Sequence, residues 1–326
     1  MKDIYFDTKY GFLYEEIEKG SCEEFKLNCQ YGSVYHMFIK REIPFNINNQ
    51  TFYDLTTPYG YGGPIIQEYK NGNKNNLLKE FNIKFKEYCA KNNIVSEFIR
   101  FHPLFNNAKE FNSVYTLEHI RKTVGTSISN QDSTLSREFS KSARKIIRKA
   151  INIGVSYKVT KKPNNLDNFM DIYYSTMKRN NASEYYYFSK EYFYNCLDNF
   201  KENIILVEVI YDNKVIASGL YFVYGEIIHA HLSGTLNEYL YLSPAYVIKY
   251  ATVQWAEANG IKIIHYGGGT SNKPDDSLYQ FKKKFGKKTE FDFYVGKRIW
   301  NDKVYNKLCE SRGINPDKDF FPSYRA

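Results

Sequence analysis

Cysteine is scarce and scattered in this chain of 326 residues. Cys22, Cys29, Cys89, Cys196 and Cys309 are odd in number and form neither a CxxC pair nor a cluster with histidine. Neither a disulfide framework nor a zinc site is therefore expected, and no metal is assigned. The first twenty residues contain no apolar core ahead of a cleavage site. The most apolar stretch, 215–232, is interrupted by Gly219, Gly225, Glu226 and two histidines, so it reads as a hairpin and not a membrane span. A cytoplasmic protein without a transmembrane segment is the expectation. No Gly-Lys-Ser/Thr follows the glycine run at P-loop spacing, there is no convincing dinucleotide fingerprint, and no GxSxG occurs. These absences argue against nucleotide hydrolysis and an activated serine, and no bound cofactor is expected.

What is present is aromatic and basic. Hydrophobic residues at 43% and charged ones at 25% describe a globular chain, long enough for two domains with separate cores. The 31 Tyr and 24 Phe predict many rings that are half buried and half wet. With 45 basic and 36 acidic side chains, the net charge of +9 favours an anionic partner: a nucleotide, a phosphorylated precursor, RNA or a membrane surface. Equally, lysine solubilises an aromatic-rich surface.

Periodicity predicts the order of elements. In the second half, a strand over 155–159 precedes helices over 166–178 and 190–200. Strands follow over 204–211, 214–223 and 227–232, the first two joined by an Asp212-Asn213 turn. A helix over 243–258 has Ser243 at its N-cap, Pro244 at its first position and Gly260 beyond its end. A strand over 261–266, a helix over 276–285 and a strand over 290–295 complete the half. The first half is looser: a helix over 10–19, strands near 24–29, 33–42 and 51–55, a helix over 76–91, and strands over 95–101 and 113–124. A basic helix over 133–152 joins the halves, and a last helix over 302–312 lies beyond the second. The expected division is a first unit over 1–132 with 297–326 packed back on it, a linker helix over 133–151 and a second unit over 152–296.

Four constellations can carry chemistry. From His265 to Gly286 a buried strand leads into Gly267, Gly268 and Gly269, then a helix with Asp275 or Asp276 as N-cap and Leu278, Phe281 and Phe285 as its stripe. Glycines let backbone pass close to a ligand, and Lys282 to Lys284 add positive charge. A phosphate- or carboxylate-bearing substrate suits such a place. Pro58 to Pro64 (PYGYGGP) is a turn that projects Tyr59 and Tyr61, either as a pocket wall or as a plain connection. His229 and His231 share a strand face; with Ser233 they can line a pocket, and either can take a proton from an attacking amine, or both are simply satisfied by strand neighbours. Arg137, Lys141, Arg144 and Arg148 share a helix face suited to phosphate, or merely solvated.

The strings PYGYGGP, RFHPL (Arg100 to Leu104), RKIIRKA (Arg144 to Ala150) and the segment from His265 to Gly286 resemble the FemAB-like acyltransferases, relatives of the GNAT N-acyltransferases. The resemblance implies an α/β fold of tandem GNAT-like units, whose element order the second half repeats. It implies that Arg179 meets a pyrophosphate and that Lys282 stabilises charge at the reacting ester. Family members aminolyse a thioester or aminoacyl ester directly. The expected function is therefore transfer of an acyl or aminoacyl group, from acyl-CoA or aminoacyl-tRNA as co-substrate, to an amine of a small or nucleotide-linked cell-envelope precursor: a peptidoglycan peptide or an amino sugar. The alternative is a non-catalytic module that binds an anionic glycan or RNA. The chain departs from the family pattern where Glu238 to Pro244 (EYLYLSP) replaces the loop by which ordinary GNAT proteins hold the CoA pyrophosphate.

Overall fold

The computed structural model describes residues 3–45, 47, 49–70, 72–129, 132–316 and 320–326. The chain divides into two compact units. The first comprises Tyr5–Arg121 and Asp292–Ala326; the second is Lys122–Phe291 together with Asp3 and Ile4. The basic segment 133–151 lies inside the second unit and is not a linker, because its Ala143, Ile147 and Ala150 are buried in the same core as Val247 and Ala251. It is also two helices, Thr134–Glu138 and Lys141–Asn152, each with its own serine cap: Ser133 Oγ accepts from Ser136 N and Ser140 Oγ from Ala143 N. Two caps seven residues apart end one helix and start another.

In the first unit, β1 (Gly20–Cys29) pairs antiparallel with β2 (Gly32–Glu42), which pairs with β3 (Tyr53–Thr56) and with β4 (Ile65–Tyr69). β3 runs parallel to β5 (Ile94–Arg100), and β5 pairs antiparallel with the C-terminal strand Glu290–Ile299. The helix Lys74–Lys91 buries Leu77, Leu78, Phe81, Phe85 and Cys89 against Phe38, Leu55 and Ile99. The single helix expected over 10–19 is two short turns, Thr8–Phe12 and Glu15–Glu18, the second ended by Lys19 in left-handed backbone. β4 was not expected; only its first two residues are buried, so it carries no alternating pattern to detect. The C-terminal stretch is held by Tyr324, whose hydroxyl lies 2.7 Å from Ser96 Oγ and donates to Asp54 at 3.2 Å; Arg41 and Arg325 meet the same carboxylate.

The second unit takes its first strand from β6 (Thr116–Ser127), then β7 (Ser156–Lys161), β8 (Ile204–Tyr211), β9 (Lys214–Tyr224), β10 (Ile227–Thr235) and β11 (Ile263–Gly267), leading into β12 (Glu290–Ile299). Its sheet order is β6-β11-β10-β9-β8-β7. Every pairing is antiparallel except β10 with β11. Helices Asp167–Arg179 and Lys190–Phe200 come between β7 and β8, helix Pro244–Ala258 between β10 and β11, and helix Ser277–Lys283 between β11 and β12. The order from β7 to β12 is the one expected from the sequence. Ser243 does stand before helix Pro244–Ala258, but in left-handed backbone with no side-chain cap bond.

Helix Pro244–Ala258 buries a lysine. Lys249 lies among Tyr221 and Tyr266, its Nζ 4.4 Å from the Tyr266 ring centroid, and burial pushes its pKa down to about 7. An unfolded lysine holds its proton to about pH 10.4, so between those values unfolding takes up a proton and stability rises with pH. Lys249→Met, of similar volume, should flatten that rise; melting temperatures measured from pH 7 to pH 10 on both proteins check this.

Candidate functional site

The parallel pair β10 and β11 stays in register for only three residues: Ile227 with Ile263, Ile228 with Ile264, and His229 with His265. Beyond His229 and His265 the ladder stops, although β10 continues to Thr235. Each strand has an irregularity at that point: β10 shifts register against β9 between Ala230 and Leu232, and β11 shifts against β6 between His265 and Gly267. Bulges of this kind bend strands and re-aim side chains. They release backbone groups of both strands from pairing with each other where the glycine run begins.

The glycine run is held by one carboxylate. Asp276 Oδ2 accepts from Thr270 N at 3.0 Å, Thr270 Oγ1 at 2.7 Å, Ser271 N at 2.9 Å and Ser271 Oγ at 3.0 Å. Its Oδ1 caps the helix Ser277–Lys283 by accepting from Tyr279 N at 2.8 Å. The Thr270 hydroxyl, then the Tyr279 N–H, hold this carboxyl well below the usual carboxylate range. Gly269 is required here, since a Cβ would lie 2.2 Å from Asp276 Oδ1, and Gly267 adopts φ +76.

The three successive lysines go to three places. Lys282 Nζ donates to the carbonyl of Gly268 at 2.6 Å, Lys283 pairs with Glu290, and Lys284 donates to Tyr246 OH at 3.0 Å. Only Lys282, half-buried, joins the glycine run. An ammonium fixed on that loop is placed to attract a negative charge developing beside it.

The two histidines of β10 have different partners. His229 is the register partner of Phe222, and the His231 ring lies 4.8 Å from the Phe222 ring, so both lie toward the same face. His229 is buried with its Nε2 2.7 Å from Asp3 Oδ2, and its ring meets His265 edge to face at 5.7 Å. His265 in turn is 2.9 Å from Thr123 Oγ1. His231 Nε2 is 2.7 Å from the hydroxyl of Tyr192, on helix Lys190–Phe200. Burial, with the neighbouring His229 adding to it, pushes the His231 pKa down to about 3. Near neutrality His231 is a neutral partner for the Tyr192 hydroxyl, whereas His229 has a carboxylate that can orient its ring. Asp3 and Tyr192 were not expected: neither stands in a motif, and only the fold brings them to β10.

Arg179 ends the helix Asp167–Arg179 and donates to the carbonyl of Thr235 at 2.6 Å. Thr235 is six residues past His229, about 20 Å along an extended strand, so Arg179 occupies the far end of β10. Ser233 is exposed between them.

Tyr59 and Tyr61 belong to the first unit. There PYGYGGP and RFHPL interlock: Arg100 Nη1 donates to the Thr57 carbonyl at 2.8 Å, Gly62 N to the Arg100 carbonyl at 2.8 Å, and Asn107 Nδ2 to the Gly62 carbonyl at 2.9 Å. Tyr61 packs between Tyr5, His102 and Phe293 with ring centroids 5.4–5.5 Å away, and the Tyr59 carbonyl accepts from Tyr10 OH at 2.8 Å. Within this unit the loop is built as a locked turn.

The second unit thus parts one parallel pair, follows it with a glycine run and anchors a lysine on that run. Residues 137–283 match the acetyltransferase (GNAT) domain family. Over 101 residues the chain is 29% identical to the UDP-N-acetylmuramoylpentapeptide-lysine N(6)-alanyltransferase of Weissella viridescens; this aligned part is 30% of each chain. In fold it is similar to FemX, with TM-score 0.69 at 14% identity over 94% of both chains. It is also similar to the C-terminal domain of a putative lysylphosphatidylglycerol synthetase from Agrobacterium fabrum, with TM-score 0.53 at 11% identity over 89% of this chain and 87% of that one. Residues 137–283 are thus similar to a GNAT domain, and the fold is that of FemX and of tandem GNAT proteins. Among the described residues no helix is long and apolar enough to cross a membrane.

Asp276→Asn replaces a pure acceptor by a group with its own N–H donors among five donors, so it should loosen the loop and lower the melting temperature at neutral pH. The deficit should be complete above about pH 4, the ordinary aspartate range, and shrink as acid protonates the wild-type carboxylate. Thermal melts of both proteins between pH 7 and pH 3 measure it.

Proposed function

We propose that this protein is a cytoplasmic acyl- or aminoacyltransferase that acylates an amine of a cell-envelope precursor by direct aminolysis. The observation that carries the reading is Lys282, fixed on the Gly268 carbonyl beside the point where β10 and β11 part. The acceptor class rests on the alanyltransferase similarity, whose protein is named for the lysine of a UDP-N-acetylmuramoylpentapeptide. On this reading the donor, acyl-CoA or aminoacyl-tRNA, presents its carbonyl near the glycine run, with Gly267, Gly268 and Gly269 allowing close approach. Lys282 stabilises the tetrahedral oxygen, while His229, oriented by Asp3, receives the amine proton. His231 and Ser233 line the continuation of β10, and Arg179 meets an anionic group at its far end.

In the step itself, the amine nitrogen bonds to the acyl carbon and the leaving thiolate or ribose oxygen departs, while the nitrogen's proton passes to the base. No enzyme nucleophile enters. Four of the five thiols argue the same way: burial pushes Cys22 and Cys196 up to about 12, and Cys89 and Cys309 also upward, far from the thiolate a covalent route uses.

Purified protein should turn over when acyl-CoAs and charged tRNAs are each paired with UDP-linked peptides and with amino sugars, the product being read by mass. Lys282→Ala should cut turnover on the order of a hundredfold, with binding by thermal shift retained, and Lys282→Arg should rescue poorly because a planar fork does not replace an ammonium. Replacing each cysteine singly should leave activity near wild type. A trapped acyl-cysteine or acyl-serine during turnover would overturn direct aminolysis. Binding without turnover, with Lys282→Ala losing affinity alone, would mark a binding module for an anionic glycan or RNA instead.

A further inference from the structure

Residues 141–162 contain eight Lys and Arg and no Asp or Glu, in a chain whose net charge is +9. Nearly all the charge excess is gathered in one stretch, and the rest of the chain is close to neutral. On the helix Lys141–Asn152, Lys141, Lys145, Arg148 and Lys149 are exposed. Ion pairs of this stretch are absent among the described residues apart from Lys162 with Glu202, and Lys158 faces Glu208 across the β7–β8 ladder.

Beside these cations is an apolar groove of about 300 Å³. Leu135, Phe139, Ile147, Ile151 and Tyr250 form its apolar wall, and Arg144 and Arg148 stand with them. Arg144, Ile147, Arg148 and Ile151 share one helix face, so charge and aliphatic surface are interleaved. The apolar surface continues from Ile151, 39% exposed at the groove, to Ile153 at 46% and Tyr157 at 36% outside it, and the Tyr157 ring meets Tyr250 edge-on at 5.7 Å.

We propose that this face is a docking site for an anionic membrane surface, the groove taking part of one acyl or prenyl chain while Arg144, Arg148 and the flanking lysines meet lipid phosphates. Basic residues ringing exposed aliphatic side chains are the pattern by which soluble domains lie on anionic bilayers. The groove volume falls at the lower limit of small-molecule pockets, about 300–1,000 Å³, which suits part of one chain and not a whole lipid. Single-stranded RNA prefers ring faces open for stacking; here the wall is mostly aliphatic and Tyr250 meets Tyr157 at 87°. None of these residues belongs to the transfer site, so the inference stands apart from the proposed reaction.

Co-sedimentation of the full chain with vesicles of phosphatidylglycerol mixed with phosphatidylcholine, against phosphatidylcholine alone, tests it. Binding to the anionic vesicles only is expected. Lys145→Gln with Arg148→Gln should weaken it about thirtyfold, and uncharged Ile151→Ser about fivefold, both proteins retaining wild-type melting temperatures and transfer to a soluble acceptor. Failure of the wild type to bind anionic vesicles overturns the proposal. So does full binding by Ile151→Ser, which leaves charge alone as the cause, or a preference for an oligouridylate over the vesicles at matched phosphate.

Discussion

The carboxylate of Asp276 is the contact on which the candidate site of the second unit depends. One oxygen gathers the amides and hydroxyls of Thr270 and Ser271, and the other caps the helix Ser277–Lys283. A flexible run of three glycines thereby becomes a loop of fixed shape, tied at its far end to the helix that carries Lys282. The Lys282 bond to Gly268 closes that circuit. Preorganisation of this kind spares the reacting system the cost of arranging its own dipoles.

The sheet provides the other half of the arrangement. A parallel pair that parts after three residues, flanked by irregularities on both strands, frees backbone groups in a region otherwise closed by ladders. The buried pairs Asp3–His229 and Thr123–His265 lie on the last paired rung, where a polar group needs a partner to be tolerated at all. A site placed where secondary structure ends but packing continues combines accessible backbone with rigid support.

The polar groups of the second unit separate by face. The histidines of β10 lie toward Phe222 and the helix Lys190–Phe200, while Lys249 is enclosed by Tyr221 and Tyr266 in the core shared with helix Pro244–Ala258. The basic helix Lys141–Asn152 packs on that second helix and presents its charge outward. The candidate site and the basic surface are thus built from different layers of one unit.

The sequence by itself determined the element order from β7 to β12, since each element there carries its own local signal: the Asp212-Asn213 turn, Pro244 at a helix start, the Asp276 cap. It also carried the resemblance to GNAT-related acyltransferases, which the domain match over residues 137–283 supports, because the glycine run with its following lysines is contiguous. It misplaced what depends on partners distant in the chain. The basic segment looked like a linker because its periodicity is helical throughout; only the two serine caps and the core it packs on divide it and assign it to the second unit. Three adjacent lysines are equivalent as letters, and tertiary structure alone sends one to the glycine loop, one to Glu290 and one to Tyr246. Asp3 beside His229 and Tyr192 beside His231 were invisible for the same reason: a hydrogen bond spans 226 residues of chain in one case and 39 in the other, and no local pattern records it.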